Sequence, residues 1–130
     1  MEGVKKILVV DDNVAFGQLL QCALEDDFSV TTAADGFEGV RAAGLLRPDL
    51  ILMDVMMPNV SGIEMVRMLQ EEDELKDIPV IILTGSHMDK VVMDLFKQER
   101  NVRLFLSKIT PIKEIVAAAN RVLCGQEASV

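Results

Sequence analysis

The sequence predicts a single α/β domain in which parallel strands alternate with helices. Three runs of strand length contain only apolar residues, at 7–10, 50–53 and 80–83. Such uninterrupted runs are typical of parallel strands that helices cover on both faces. The chain has 130 residues, of which 50% are hydrophobic, and this suffices for one compact core but not for a second domain. We therefore expect one domain over residues 1–124, followed by a short tail or linker stub at 125–130.

Two less regular runs are predicted to form the edge strands of the sheet. Residues 28–32 alternate between apolar and polar side chains, and Arg103 interrupts the apolar run at 102–106. Strands with one wetter face are expected where a sheet ends. The three continuous apolar runs are then the inner strands.

Five segments that follow the strands have helical patterns. Apolar residues recur at spacings of three and four along three of these segments, as expected for amphipathic helices. The stripes are Phe16, Leu19, Leu20, Ala23 and Leu24; Met88, Val91, Val92, Leu95 and Phe96; and Ile112, Ile115, Val116 and Ala119. Weaker patterns occupy residues 36–46 and 62–72. The fourth helix is expected to be long, with residues 97–101 as its last five residues.

The order of these elements, five strands that each precede a helix, determines the expected topology. Right-handed crossovers place helices on both faces of a doubly wound sheet. We expect the flavodoxin-like strand order 2-1-3-4-5. In such sheets the functional site lies beyond the carboxyl ends of the strands, at the switch point between strands 1 and 3.

Charge and residue content exclude several classes of function. Thirteen basic and 21 acidic residues leave a formal net charge of -8, which disfavours direct binding of nucleic acid or of an anionic membrane. The N-terminal apolar run ends at Asp11 and is too short for a signal peptide or a membrane span, so a cytoplasmic location is expected. His87 is the only histidine, and Cys22 and Cys124 lack the spacing of metal ligands.

Polar residues follow four of the predicted strands. Asp11 and Asp12 follow strand 1, Asp54 follows strand 3, Thr84 follows strand 4 and Lys108 follows strand 5. Any one aspartate at a strand end is more often a helix cap or a turn former than a functional group. Because the carboxyl ends of parallel strands meet at one edge of the sheet, we expect all five side chains to converge on one pocket.

The residue types in this pocket predict phosphoryl chemistry that depends on a metal. Three neighbouring carboxylates raise one another's pKa unless a cation shares the site. Oxygen ligands with room for water or phosphate oxygens suit Mg²⁺ better than Ca²⁺. Lys108 and Thr84 add a positive charge and a hydroxyl donor for the oxygens of a phosphoryl group, and one carboxylate can act as the nucleophile.

From residue 5 to about residue 123 the sequence resembles the receiver domains of two-component response regulators. The matching motifs are the acidic pair after strand 1, the aspartate after strand 3, the hydroxyl residue after strand 4 and the lysine after strand 5. The characteristic neighbours are Met57, Pro58 and Gly62 behind Asp54, Gly85 behind Thr84, Pro48, Asp49 and Leu50 before strand 3, and Ile78, Pro79 and Val80 before strand 4.

The resemblance implies a role for each matching residue. Asp54 would be the phosphoacceptor, and Asp11, Asp12, Asp54 and the backbone carbonyl of Met56 would hold Mg²⁺, with Asp11 acting mainly through water. Thr84 and Lys108 would stabilise the phosphoryl group. Thr84 and Phe105 would form the switch, although a phenylalanine in an edge strand fits a core role equally well.

The resemblance also implies partners. A sensor histidine kinase or a histidine phosphotransfer protein would supply the phosphoryl group. The surface formed by helix 4, strand 5 and helix 5 would then contact a downstream effector protein or an attached output domain. The chain would be a phosphoacceptor that assists its own phosphorylation and dephosphorylation, not an enzyme. The kinase, the output and the oligomeric state stay open.

Three features depart from the family pattern. The segment before strand 5 lacks the usual Gly-Ala pair. Met56 and Ser86 occupy positions that tune phosphoryl lifetime, and an apolar Met56 offers no side chain to orient a hydrolytic water. Ile109 replaces the proline that usually follows the lysine, so we expect a trans bond after Lys108, since a cis bond before a residue other than proline costs about 2.5 to 4 kcal/mol.

Although Ile109 replaces the usual proline, the long flexible side chain of Lys108 is still expected to reach the acid pocket. Thr110 and Pro111 are expected to be the N-cap and the first residue of helix 5.

Other functions remain as alternatives. A degenerate receiver could bind proteins without phosphorylation, but the complete set of Asp12, Asp54, Thr84 and Lys108 argues against it. An aspartate-nucleophile phosphatase would need acids two residues apart after strand 1 and a cap domain. A flavin-binding carrier would need a phosphate loop after strand 1, where acids would repel the phosphate.

Overall fold

The computed structural model describes residues 3–55, 61–85 and 90–125, in which five strands alternate with five helices. The strands are β1 (Lys6–Val10), β2 (Ser29–Ala33), β3 (Leu50–Asp54), β4 (Val80–Thr84) and β5 (Val102–Ser107). The helices are α1 (Val14–Leu24), α2 (Gly36–Leu46), α3 (Gly62–Gln70), α4 (Lys90–Lys97) and α5 (Ile112–Leu123). The helix after strand 5 ends at Leu123, and the domain boundary expected at residue 124 stays a prediction.

The five strands form one sheet in the order β2-β1-β3-β4-β5, and every neighbouring pair is parallel. This confirms the predicted topology. All five residues of β3 are buried, and so are four of the five in β1 and in β4, whereas β2 and β5 lie at the edges and are more exposed. The uninterrupted apolar runs are therefore the inner strands, as expected.

Alternate residues of the inner strands build two separate cores, one on each face of the sheet. Ile7 and Val9 pack with the core under α1 and α5. Leu8 and Val10 pack with the core under α2, α3 and α4. Since successive side chains of a strand point to opposite faces, a strand covered on both sides must be apolar at every position.

Short polar side chains begin the first three helices. The Asn13 side chain accepts the backbone N–H of Phe16, and the Asp35 side chain accepts that of Glu38. Ser61 and Glu64 form a reciprocal capping box at the start of α3. The caps of α1 and α3 lie at the carboxyl edge of the sheet, so both helices start beside the predicted pocket.

Helix α4 ends at Lys97, and the expectation that it would continue into residues 97–101 was wrong. Asn101 is buried, and its backbone carbonyl accepts the N–H of Val80 at 2.8 Å. Its side-chain oxygen accepts a hydrogen bond from Gln70 at 2.7 Å. These bonds to the start of β4 and the end of α3 require the chain to leave the helix before Asn101. The helix after strand 3 likewise ends two residues earlier than expected, at Gln70.

The start of α5 also differs from the expectation. Pro111, not Thr110, is the N-cap residue, and no side chain caps this helix. The backbone N–H of Thr110 donates to the carbonyl of Ser107 at 3.0 Å. This turn uses Thr110 to reverse the chain after β5, so the helix begins one residue later than predicted.

No peptide bond among the described residues is cis, so the predicted trans bond between Lys108 and Ile109 is confirmed. Across the same described ranges, no helix combines the length and the apolar character needed to cross a membrane.

Candidate functional site

The carboxyl edge of the sheet brings three aspartates together. Asp11 directly follows β1, and Asp54 is the last residue of the neighbouring strand β3. Asp12 is exposed, whereas Asp11 and Asp54 are only 4% and 6% exposed. One carboxylate oxygen from each of the three lies within 4.8 Å of the others. The predicted convergence of Asp11, Asp12 and Asp54 from the ends of β1 and β3 is therefore confirmed.

Lys108 enters this acidic pocket from the end of β5. Its Nζ atom lies 2.7 Å from Asp11 Oδ2 and 3.5 Å from Asp54 Oδ2. The backbone N–H of Lys108 donates to the carbonyl of Thr84 at 2.8 Å, which ties the start of the β5–α5 loop to β4. The expectation that Lys108 reaches the acids despite the trans bond after it is confirmed.

Backbone hydrogen bonds orient the two buried carboxylates. Asp11 Oδ1 accepts the N–H of Asn13 at 2.8 Å, and Asp54 Oδ1 accepts the N–H of Val55 at 2.9 Å. Each carboxylate thus uses one oxygen to bind the loop that follows it. The other oxygen, Oδ2, is the one that pairs with Lys108.

The pKa of Asp54 is raised from its ordinary value of 3.8 to about 6. Burial is the largest cause and the negative charge of Asp11 is the second, while Lys108 and the Val55 N–H oppose them. For Lys108, burial favours the neutral amine, but Asp11 and Asp54 outweigh it and raise its pKa. One ammonium therefore does not fully compensate the three carboxylates.

The donor set fits a hard divalent cation. All three side chains offer carboxylate oxygens, which Mg²⁺ prefers, and the exposure of Asp12 leaves the pocket open to water on one side. Burial and the neighbouring charge of Asp11 raise the pKa of Asp54, and a bound cation would offset the repulsion between these two carboxylates. The backbone carbonyl of Met56, expected as a further ligand, lies outside the described residues, as does Ser86.

Thr84 and Phe105 occupy the strands on the far side of Asp54. Asp54 pairs in register with Leu83, so Thr84 is the next residue along β4 and ends that strand. Phe105 is half-buried in β5, and its ring meets that of Phe96 edge to face, with 6.3 Å between centroids. Phe105 thus contributes to the core under α4, and its role as a switch stays a prediction.

Two further residues shape the pocket. A Cβ atom at Gly62 would lie 3.0 Å from the Asp54 carbonyl oxygen and 3.3 Å from the Phe96 ring, so any larger residue would crowd the backbone of Asp54. The Phe16 ring centroid lies 5.0 Å from Lys108 Nζ. Gly62 appeared in the sequence only as part of a motif, and Phe16 only as part of an apolar stripe. The motif associates Gly62 with Asp54, but no local signal gives the contacts of either residue, because both depend on how helices pack at the sheet edge.

Comparison with known proteins finds the same kind of domain. The family model described as the response regulator receiver domain matches residues 7–120. Protein PilH of Pseudomonas aeruginosa is 32% identical over 121 residues, which cover 92% of this chain and 98% of PilH. The chemotaxis protein CheY4 of Vibrio cholerae, a solved structure, superposes with a TM-score of 0.84 at 28% identity, over 92% of this chain and 99% of that one.

Other relatives are much longer than this chain. The alkaline phosphatase synthesis transcriptional regulatory protein PhoP of Bacillus subtilis is 42% identical over 91 residues, which cover 68% of this chain but 37% of PhoP. The chain spans 7% to 37% of the length of three of the curated relatives that it matches.

Proposed function

Because this chain belongs to the response regulator receiver domain family, we propose that Asp54 accepts a phosphoryl group from a phosphohistidine donor. The observation that carries the proposal is the pocket itself, in which the buried Asp54 carboxylate lies with two other acids and a lysine at one sheet edge. A sensor histidine kinase or a histidine phosphotransfer protein is the proposed donor. The cytoplasmic location expected from the sequence stays a prediction.

In the proposed reaction, Asp54 Oδ2 attacks the phosphorus atom of the phosphohistidine. An O–P bond forms to give an aspartyl phosphate, while the P–N bond breaks and its electron pair returns to the imidazole nitrogen. The raised pKa of Asp54 supports this role, since a more basic carboxylate that is still ionised at neutral pH is a stronger nucleophile. The chain takes up one phosphoryl group per molecule and in this respect is a phosphoacceptor, not an enzyme.

Asp11, Asp12 and Asp54 are the side chains proposed to hold Mg²⁺, together with the carbonyl of Met56. When bound, Mg²⁺ would neutralise negative charge on the phosphoryl oxygens and on the acids. Asp11 is the acid closest to Lys108, at 2.7 Å, which supports a less direct role for it than for Asp12. We propose that Asp11 acts mainly through water.

Lys108 and Thr84 are proposed to stabilise the transferred group. The Lys108 ammonium lies 3.5 Å from Asp54 Oδ2, close enough to contact an oxygen of a phosphoryl group whose phosphorus is bonded to that atom. Thr84 follows the residue that pairs with Asp54 in the sheet, so it is a near neighbour at the same edge. Its hydroxyl is the proposed donor to a second phosphoryl oxygen.

The surface formed by α4, β5 and α5 is the proposed output face, with Thr84 and Phe105 as its switch. Residues 90–125, which form this face, carry seven basic and three acidic side chains, whereas residues 3–85 carry six basic and fifteen acidic ones. Lys108 lies in the acid pocket and Arg100 pairs with Asp77, but the other five basic residues still outnumber the three acidic ones, which supports an effector protein or output domain with an acidic contact surface.

A degenerate receiver that binds partners without phosphorylation is the second candidate, and no observation favours it. Such a domain would tolerate loss of the acceptor, the lysine or the acid pair. Here Asp54 and Lys108 lie in the pocket within 3.5 Å of each other, and Asp11 and Asp12 accompany them.

Incubation with a small phosphoryl donor and Mg²⁺, followed by intact-mass measurement, tests the proposal. The parent protein should gain the mass of one phosphoryl group, and Asp54→Asn should abolish the gain. Asp26→Asn makes the same change at an exposed position after α1 and should be labelled like the parent. Undiminished labelling of the Asp54→Asn variant would overturn the assignment.

A further inference from the structure

The aromatic ring of Phe16 lies beside the ammonium group of Lys108. Phe16 is in the first turn of α1, where the Asn13 side chain accepts its backbone N–H at 3.1 Å. Its side chain is half-buried and packs against the core under α1 and α5. The cap fixes the backbone at Phe16 and the packing restricts its ring, whose centroid lies 5.0 Å from Lys108 Nζ.

Lys108 needs such a restraint because its side chain is long and has several possible partners. The stem of a lysine carries about 2 kcal/mol of rotamer entropy, which must be lost when the ammonium is held in one pose. Asp11 Oδ2 lies 2.7 Å from the ammonium nitrogen, and Asp54 Oδ2 lies farther away, at 3.5 Å. If Asp11 were the only group that held the ammonium, the position of Asp11 alone would set the distance between the ammonium and Asp54.

An aromatic ring can hold a cation without occupying a particular N–H group. The attraction acts between the positive charge and the face of the ring at separations up to about 6 Å, and it has no strict dependence on the direction of each N–H bond. The three donors of Lys108 therefore stay available to Asp11, Asp54 and an incoming phosphoryl oxygen. A leucine at position 16 would fill similar space but would exert no such attraction.

We propose that Phe16 is a positioning residue, whose ring holds the Lys108 ammonium over Asp54 so that phosphoryl transfer depends on an aromatic face at this position. The inference rests on the proposed phosphoryl transfer to Asp54. In this proposal Phe16 acts through Lys108 and not through direct contact with the acceptor or the transferred group.

Site-specific replacement of Phe16 by phenylalanines with one, two and three ring fluorines separates electrostatics from packing. Fluorine withdraws electron density from the ring face but changes its size little. The rate of labelling by a small phosphoryl donor with Mg²⁺ should fall stepwise with each fluorine. The trifluoro ring should be about three- to tenfold slower, which corresponds to about 0.7 to 1.4 kcal/mol. A rate that stays constant along the series overturns the proposal.

Standard substitutions provide matched controls. Phe16→Leu should slow labelling about as much as the trifluoro ring does, and Phe16→Tyr should restore the parent rate. Phe37→Leu makes the same change at a half-exposed position of α2 and should label like the parent. Equal slowing in Phe16→Tyr and Phe16→Leu would contradict a role for the aromatic face.

A spectroscopic readout keeps this inference separate from the proposed function. In proton NMR spectra of the metal-free protein, the Hε signals of Lys108, identified as those lost in Lys108→Arg, should be shifted to lower frequency by the Phe16 ring current. Phe16→Leu should remove the shift. If the parent is not labelled at all, the proposed function fails; an Hε shift that is the same in parent and Phe16→Leu overturns the positioning role.

Discussion

Lys108 pairs more closely with Asp11 than with Asp54: its Nζ atom lies 2.7 Å from Asp11 Oδ2 and 3.5 Å from Asp54 Oδ2. Among the residues that the structure describes, Lys108 is the only cationic side chain paired with these buried acids. Asp11 and Asp54 therefore share its charge unequally. Asp54, which the fold buries almost completely, is the less compensated of the two. Burial and the negative charge of Asp11 raise the pKa of the proposed acceptor, and the more distant Lys108 opposes them only in part, which underlies the first two predictions.

Asp54→Asn should stabilise the metal-free protein at neutral pH. Since the folded-state pKa of Asp54 is about 6, above its ordinary value of 3.8, the protonated form favours folding. Its contribution to stability is complete below about pH 4 and is lost as the pH rises through about 6. At pH 7 the variant should gain about 1 to 2 kcal/mol in free energy of unfolding, a value reduced for solvent screening at the open side of the pocket.

Urea unfolding from pH 3.5 to 7.5 in a chelating buffer checks this effect. The loss of stability across pH 4 to 6 should be smaller in Asp54→Asn than in the parent. Asp26→Asn is the control, because it removes the same charge at an exposed position. A parallel pH profile for the parent and Asp54→Asn would contradict an elevated pKa at Asp54.

Mg²⁺ should stabilise the folded protein through the three acids. A ligand that binds only the folded state raises its stability by about 2.7 kcal/mol at a concentration one hundred times the dissociation constant. Asp12→Ala should lose most of this gain, since Asp12 is the exposed acid of the three and is proposed to bind Mg²⁺ directly. Thermal unfolding with and without Mg²⁺ measures the effect, and Glu72→Ala is the surface control. Equal gains in the two variants would count against the site.

Lys108→Ala should destabilise the metal-free protein and slow phosphorylation. It leaves Asp11 and Asp54 buried without their shared cation, and breaking such a pair costs about 2 to 3 kcal/mol when the pocket is partly open to water. Mg²⁺ should recover part of the lost stability because it supplies positive charge to the same acids. Urea unfolding measures the loss and intact mass follows the labelling rate. If metal-free Lys108→Ala were as stable as the parent, the ion pairs of Lys108 would contribute nothing to the free energy of unfolding.

Gly62→Ala should be destabilising because the added methyl group has no room. It would lie 3.0 Å and 3.1 Å from the carbonyl oxygens of Asp54 and Val55, and backbone atoms cannot move aside as a flexible side chain can. We expect a loss of about 1 to 3 kcal/mol in free energy of unfolding. Gly44→Ala is the matched control: nothing lies within 4 Å of its added Cβ in α2, and it should stabilise by about 0.5 to 1 kcal/mol. If Gly62→Ala and Gly44→Ala changed the free energy of unfolding in the same direction, the result would contradict crowding at Gly62.

Local pattern in the sequence determined the order of strands and helices, the division into inner and edge strands, and the residues at the carboxyl edge. The apolar runs of β1, β3 and β4 predict buried parallel strands because a strand covered on both faces must be apolar throughout. The polar residues at the carboxyl ends of β1, β3 and β5 then fall at one edge, which is why Asp11, Asp54 and Lys108 could be expected in one pocket.

Only the tertiary structure decided which of these groups touch and where two helices end. The closer pairing of Lys108 with Asp11, the ring of Phe16 beside the ammonium, and the crowding at Gly62 depend on the rotation and distance of neighbouring elements. Helix α4 ends at Lys97 because Asn101 bonds to distant parts of the chain. Periodicity reports which face of a segment is buried, but a contact between two residues far apart in the chain depends on the packing of whole elements, which no local pattern encodes.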